Sequence, residues 1–220
     1  MVKAVIFDMN GVIIVDEKFH NQSWVEFCRL YNFKLTEEEF NRDIMGKRDK
    51  DTLNYLFKRN LSEGEVNKYA NERDKLVNDL VENNLNLPEG LLKLLERFKK
   101  RGLPLAIATS ARRGYVDFIL ESFRLREFFP LIITAEDVVK GKPDPEIYLK
   151  VADKLGIDPE SCLVFEDSIF GIAAAKSAGM KVVAITSSHT EDEIQNKADW
   201  VIKSFKDFDG SLLSQKILSF

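Results

Sequence analysis

The sequence predicts an α/β fold: a parallel sheet flanked by helices, with an all-helical block inserted after the first strand. Three observations carry this expectation. Short apolar runs recur along the chain, each closed by polar or small residues, as strands buried on both faces of a parallel sheet do. Helical patterns lie between those runs, and such alternation favours a parallel sheet. Residues from about 16 to 83 differ, carrying helical stripes and no strand pattern.

The strand segments are Lys3–Phe7, Leu105–Ala108, Leu163–Phe165 and Val182–Ile185, with Leu131–Thr134 and Trp200–Ile202 as weaker members. Between them, Pro88–Gly102 sets Leu91, Leu94, Leu95 and Phe98 on one face. It has Lys99, Lys100 and Arg101 in its last turn and Gly102 as its stop. Asp144–Gly156 places Pro145 in a first turn and carries Tyr148, Val151, Ala152 and Leu155. In the helical block, Trp24, Phe27, Cys28 and Tyr31 form one stripe. Leu53, Leu56 and Phe57 form a second, and Val66, Tyr69, Val77 and Leu80 a third. Thr36 with Glu39 and Ser62 with Glu65 have capping-box spacing. The reading is a Rossmann-like core, residues 1–15 and 84–220, with an inserted helical cap, residues 16–83. A block inserted there is placed to cover the carboxyl ends of the strands, where open α/β sheets bind ligands.

Composition narrows the function classes. With 220 residues and 45% hydrophobic content, a sizeable core is available. The net charge of -4 offers no broad attraction to nucleic acid or to an anionic membrane, so any anion must be held locally. The apolar run Val2 to Phe7 is too short for a transmembrane helix and lacks a signal-peptide layout. Cys28 and Cys162 form no CxxC pair, which suits a reduced, cytoplasmic setting. His20 and His189 are the only histidines, which argues against a Cys/His zinc site. The expected state is a monomer that binds no organic cofactor.

Four places carry chemistry. Asp8 ends an apolar strand, where a carboxylate is poorly explained by packing; it is a turn residue, a nucleophile or a metal ligand. Thr109 and Ser110 follow a strand, and hydroxyls with free N–H groups at such a turn suit phosphate oxygens, although both types also cap helices. Lys142 sits in Lys140-Gly141-Lys142-Pro143-Asp144-Pro145, which is not a Walker A loop; a lone lysine there is ordinarily solvated. Glu166 and Asp167 are adjacent carboxylates at a strand end, suited to Mg²⁺ or forming a charged turn capped by Ser168.

Taken together in chain order, these segments resemble the haloacid dehalogenase superfamily, in particular its β-phosphoglucomutase-like phosphatase branch with a helical cap. The residues that carry the resemblance are Phe7-Asp8-Met9-Asn10-Gly11-Val12, Ile107-Ala108-Thr109-Ser110, Gly141-Lys142-Pro143-Asp144-Pro145-Glu146-Ile147-Tyr148, and Phe165-Glu166-Asp167-Ser168 with Gly171 and Ala173 to Ala175. The resemblance spans essentially the whole chain. It implies that Asp8 attacks phosphorus and becomes an aspartyl phosphate. Thr109 and the backbone N–H of Ser110 would hold the transferring phosphoryl group, and Lys142 would neutralise charge between it and Asp8. Mg²⁺ would be held by Asp8, by Glu166 or Asp167 or both with one through water, and by the backbone carbonyl of Asn10.

Two departures bear on activity. The family has a general acid/base aspartate two residues after the nucleophile, where this chain has Asn10, and an amide exchanges no proton at neutral pH. Asp16 is shifted by one place from the family's pattern; it is a hinge residue or a compensating carboxylate. In the cap, His20, Lys47 and Arg48 are the expected substrate contacts, with Arg73 as a further candidate; in the core, Arg112 and Arg113 after Thr109-Ser110 bind an anion or form a solvated helix start. Mutases of the family carry an arginine where this chain has Asp49, which would repel a second phosphate. The expected function is a Mg²⁺-dependent phosphatase acting on a small phosphorylated metabolite. The alternatives are a hexose-phosphate mutase and, because of Asn10, a non-catalytic protein that binds such a metabolite.

Overall fold

The computed structural model describes residues 1–44, 49–84 and 86–208. Two compact units form, one from Met1–Val15 with Asn86–Phe220 and the other from Asp16–Leu85. No helix among the described residues is long and apolar enough to cross a membrane.

The first unit is built on six parallel strands: β1 (Ala4–Phe7), β2 (Leu105–Ala108), β3 (Leu131–Ile133), β4 (Cys162–Glu166), β5 (Lys181–Ile185) and β6 (Trp200–Ile202). Their order across the sheet is β3-β2-β1-β4-β5-β6. The chain works outward from β1 on one side and then from β4 on the other. The reversal lies between β1 and β4, the crevice where open α/β sheets place ligands. Both strands are wholly buried, which accounts for their unbroken apolar runs.

Alternation along the strands sorts the core into two faces. Ala4 and Ile6 of β1, Ala106 and Ala108 of β2, and Cys162 and Val164 of β4 lie in one cluster. The helices α7 (Glu146–Leu155) and α8 (Ile169–Ser177) contribute Tyr148, Val151, Ile172 and Ala175 to the same cluster. Phe7 and Phe165, paired in register, belong to an aromatic group on the other side and stack with centroids 4.9 Å apart. Phe98, Phe129, Phe205 and Phe208 complete that group.

The elements differ from the sequence expectations mainly at their ends. Helix α5 (Leu91–Lys100) begins three residues inside the expected segment, because Gly90 adopts φ 88°, a left-handed conformation that breaks the run. Leu91, Leu94, Leu95 and Phe98 on its inner face are fully buried, worth about 1.5–3 kcal/mol each against exposure. Strand β4 extends through Glu166, which pairs with Ala184 of β5. Glu166 is therefore the last strand residue and does not lie in the turn beyond.

The second unit contains α1 (Glu17–Leu30), α2 (Glu37–Asp43), α3 (Asp49–Phe57) and α4 (Glu63–Asn84) and no strand among its described residues. Trp24, Phe27, Cys28, Ile44, Leu53, Leu56 and Leu61 make its core, with Tyr31, Phe57, Val66 and Tyr69 packed against them. The capping box of Thr36 with Glu39 starts α2, and Ser62 with Glu65 forms the same reciprocal bonds at the start of α4.

Candidate active site

Sheet parity explains why distant residues meet. Glu166 continues the Cys162–Val164 face, and Asp8 extends the Ala4–Ile6 face one residue beyond β1. The segment entering α7 crosses that same face, so Lys142 arrives over the ends of β1, β2 and β4. Its Nζ donates to Asp8 Oδ1 at 2.7 Å, to Glu166 Oε1 at 2.7 Å and to the Ala108 carbonyl at 3.2 Å. The ammonium also lies 5.0 Å from the centre of the Tyr148 ring. Its side chain is only 7% exposed, so the solvated lysine of the sequence alternatives is not what the fold produces.

The turn after Asp8 is tight. The Met9 carbonyl accepts from the N–H groups of Val12, Ile13 and Ile14 at 3.2, 2.8 and 3.1 Å, and Gly11 N–H donates to the Ile14 carbonyl at 2.6 Å. Gly11 has φ 79°, and a Cβ on it would fall 1.9 Å from Asp167 Oδ2. Only glycine lets the turn close against that carboxylate. Asn10 lies within this turn, its backbone bridged to Ile14.

Glu166 and Asp167 look equivalent in sequence and are not equivalent in the fold. Both oxygens of Glu166 are occupied. Oε1 accepts from Lys142 and, at 3.2 Å, from the Tyr148 hydroxyl. Oε2 accepts from the N–H groups of Asp167 and Ser168, each at 2.7 Å, and from the Ser168 hydroxyl at 3.0 Å. Asp167 Oδ2 accepts from the Ser188 hydroxyl, and the neighbouring Ser187 hydroxyl donates to the Gly11 carbonyl. Oxygens of Asp8, Glu166 and Asp167 lie within 4.8 Å of one another, a grouping able to hold a metal ion.

The electrostatics follow from three buried carboxylates sharing one lysine. Burial pushes Asp8 up to about 7, opposed by Lys142 and reinforced by Glu166. Burial likewise pushes Asp167 up to about 8, with Asp8 and Glu166 adding to the rise. Burial also works against Glu166, but Lys142 and Ser168 outweigh it and hold this carboxyl below its ordinary range. Burial disfavours the charged form of Lys142, and Asp8 and Glu166 more than compensate. The cluster thus lacks positive charge, which a divalent cation would supply.

Gly171 provides a local test of this architecture. A Cβ on it would fall 1.6 Å from Glu166 Oε1. Within α8 alanine is intrinsically favoured over glycine by about 1 kcal/mol. Displacing a carboxylate from a buried ion pair costs about 3–5 kcal/mol. Gly171→Ala is therefore expected to lower stability by a net ~2–4 kcal/mol, measurable by denaturant unfolding. A variant as stable as the parent would mean that Glu166 relocates freely.

The remaining sequence candidates fall as follows. Thr109 is buried; its N–H donates to Ile133 at 3.0 Å and its hydroxyl accepts from Ala111 N–H at 3.0 Å, while Ser110 is exposed. Arg113 is drawn into the fold by the Ile132 carbonyl at 3.0 Å and Asp137 at 3.2 Å, and Arg112 stands at the start of α6 (Arg113–Ser122). In the second unit, His20 Nε2 lies 2.8 Å from Oδ2 of the buried Asp16. Arg73 meets Asp49 at 3.5 Å and Asp74 at 3.2 Å, with its guanidinium 5.2 Å from the centre of the Trp24 ring. Lys47 and Arg48 lie outside the described residues. Ser187 and Ser188 were missed by sequence reasoning, since small hydroxyls in a loop after a strand carry no periodic or spacing signal.

The model of the haloacid dehalogenase-like hydrolases matches residues 5–185. The chain belongs to that family. Within it, a phosphorylated carbohydrates phosphatase from Thermotoga maritima is 33% identical over 183 residues, covering 81% of this chain and 82% of that protein. A haloacid dehalogenase hydrolase of family IA, variant 3, from Entamoeba histolytica has a solved structure that superimposes with a TM-score of 0.86. It is 32% identical and covers 99% of this chain and 100% of that one. A putative β-phosphoglucomutase from Thermotoga maritima is 27% identical with a TM-score of 0.79, over 100% of both chains. Membership of this haloacid dehalogenase branch makes the chain a phosphatase-type hydrolase, and the curated relatives include phosphatases of small phosphorylated metabolites.

Proposed function

We propose that this haloacid dehalogenase-family chain is a Mg²⁺-dependent phosphatase of a small phosphorylated metabolite, working through an aspartyl phosphate on Asp8, with turnover held down by Asn10. The observation that carries the reading is the Asp8 carboxylate at the end of β1, held at 2.7 Å by a buried lysine and grouped with Asp167 and Glu166.

In this reading Asp8 is the nucleophile and Lys142 keeps it ionised and oriented toward phosphorus. Thr109 and the Ser110 N–H bind phosphoryl oxygens at the end of β2, and Lys142 offsets the charge that gathers on them during transfer. The three acids and single lysine fit a hard divalent cation. Asp8, Asp167 and the Asn10 carbonyl would hold it, with Glu166, which already accepts from Lys142 and Ser168, as the outer carboxylate of the site. When bound there, Mg²⁺ supplies charge stabilisation to the phosphoryl group. Asn10 keeps hydrogen-bonding capacity but supplies no proton to the leaving oxygen and accepts none from water.

His20, Lys47 and Arg48 of the cap are proposed to select the substrate. Where mutases of the family carry an arginine, Asp49 is paired with Arg73. An aspartate in place of that arginine favours a hydrolase over a mutase.

The metal site is tested by calorimetry. The parent chain is expected to bind Mg²⁺, and Asp167→Asn to weaken binding by more than the ~10–100-fold that loss of an outer-shell partner costs. A second consequence follows from linkage. Asp167, raised from 3.8 to about 8, favours folding only while protonated, so its contribution is lost as pH rises through 8. With Mg²⁺ chelated, Asp167→Asn is expected to melt above the parent at pH 8 and to lose that advantage near pH 4. Unchanged Mg²⁺ affinity in the variant would reject Asp167 as a ligand.

A further inference from the structure

The proposed function uses Asp8, Lys142, Glu166 and Asp167 but leaves unexplained two consecutive hydroxyls in the loop after β5. Ser187 donates to the Gly11 carbonyl and Ser188 to Asp167 Oδ2. Gly11 and Asp167 are themselves pressed together, a Cβ on Gly11 falling 1.9 Å from that same Oδ2. The two serines therefore take hold of the two sides of one close contact. One side is the turn that follows the nucleophile, and the other is the carboxylate at the end of β4.

We infer that Ser187 and Ser188 form a clamp that positions Asp167 and the Asn10–Gly11 turn for the divalent cation, Ser188 occupying Oδ2 so that Oδ1 is the oxygen presented to the ion. The inference rests on the proposed metal site. Its physical basis is the usual role of outer-shell donors: a carboxylate with one oxygen held by a fixed hydroxyl cannot rotate, so less ordering remains to be done when the ion binds. Ser187 acts on the other wall. By fixing the Gly11 carbonyl it holds the Gly11–Val12 peptide plane, one step beyond Asn10, whose own carbonyl is a proposed ligand. Neither serine touches the reacting atoms, so both are positioning residues.

The placement also explains why the pair follows β5. That strand is next to β4 in the sheet, with Val183 in register with Phe165 and Ala184 with Glu166. Three residues beyond Ala184 the loop reaches the level of the turn that follows β4. Ser188 is exposed and Ser187 half-buried, so trimming either removes a hydroxyl with little loss of packing.

The test compares the full-length parent with Ser188→Ala, Ser187→Ala and Ser188→Thr, titrating each with Mg²⁺ by calorimetry without substrate. Ser188→Ala is expected to bind Mg²⁺ about 10-fold more weakly at a melting temperature close to the parent's. Ser188→Thr, which restores a hydroxyl, is expected to recover parental affinity. Phosphorylation of Asp8 by acetyl phosphate gives a second readout. The Mg²⁺ concentration for half-maximal phosphorylation should rise in Ser188→Ala by the same factor, while the rate at saturating Mg²⁺ returns to near the parent's. Parental affinity in both alanine variants would overturn the clamp and leave the metal site standing. A parent chain that binds no Mg²⁺ would overturn the metal site and the clamp with it.

Discussion

Replacing Asn10 by aspartate is expected to raise steady-state turnover by ~10²-fold or more, the usual worth of general acid–base assistance. The reaction has two steps. Forming the aspartyl phosphate needs no acid when the leaving group is already weakly basic, as in an acyl or aryl phosphate. Hydrolysing it needs a base to activate water, and the amide of Asn10 supplies none. With an acyl phosphate the parent should therefore show a burst close to one equivalent followed by slow turnover, the signature of an accumulating covalent intermediate. Sugar phosphates, with basic alkoxide leaving groups, should be slow in both steps. Rapid-quench mass spectrometry on fresh protein measures the burst directly. Intact mass must be checked alongside, because Asn10-Gly11 is a pair prone to deamidation, which would restore an acid at this place. If Asp8 is never phosphorylated and Asn10→Asp is no faster, the chain is a phosphometabolite-binding module that retains the haloacid dehalogenase fold. A panel of phosphorylated metabolites run on Asn10→Asp would then identify the substrate for an active enzyme.

Lys142→Met should remove catalysis and also change how stability responds to pH. The lysine bridges Asp8 and Glu166 at 2.7 Å each, with its side chain 7% exposed. Removing one partner from such a buried pair costs about 3–5 kcal/mol, because the other charge is left without compensation. Methionine keeps the volume, so the loss reports charge and not a cavity. Phosphoryl transfer should fall by ~10²–10³-fold, the scale of losing one preorganised charge-stabilising group. The pH signature follows from Glu166. In the parent its carboxyl is held below the ordinary 4.5, so its stabilisation is present above that value and is lost as pH falls below it. Without the lysine, burial is expected to raise the same carboxyl. The variant should then gain more stability than the parent as pH falls from neutrality toward 4.5, because Glu166 adds to the gain that the raised Asp8 and Asp167 already give the parent. Chemical denaturation at a series of pH values with Mg²⁺ chelated measures this. Parallel curves for the two proteins would mean that Lys142 does not compensate Glu166.

Much of this architecture is legible in the sequence, because the information involved is local. A strand buried on both faces must be a short apolar run, and β1, β2 and the Leu163–Phe165 part of β4 read that way. The amphipathic period of α5, the stripe on α1 and the capping boxes at Thr36 and Ser62 express interactions between residues three or four apart. The candidate site is legible in part, since a carboxylate closing an apolar strand is a turn residue, a nucleophile or a metal ligand. The order Asp8, Thr109, Lys142, Glu166-Asp167 narrows those further. Tertiary structure alone decided which of these groups meet and how. Lys142 is brought to Asp8 by sheet parity and by the path into α7, which act across 134 residues and leave no trace in either neighbourhood. Glu166 and Asp167, adjacent and alike in sequence, separate because one ends β4 on the lysine's face while the other lies beyond it against Gly11. Arg113 was a candidate for binding an anion until Asp137 and the Ile132 carbonyl claimed it. Ser187 and Ser188 gained a place beside the site only because β5 runs next to β4. A hydroxyl's partner is set by distance in space, and a single chain read in order records only distance along itself.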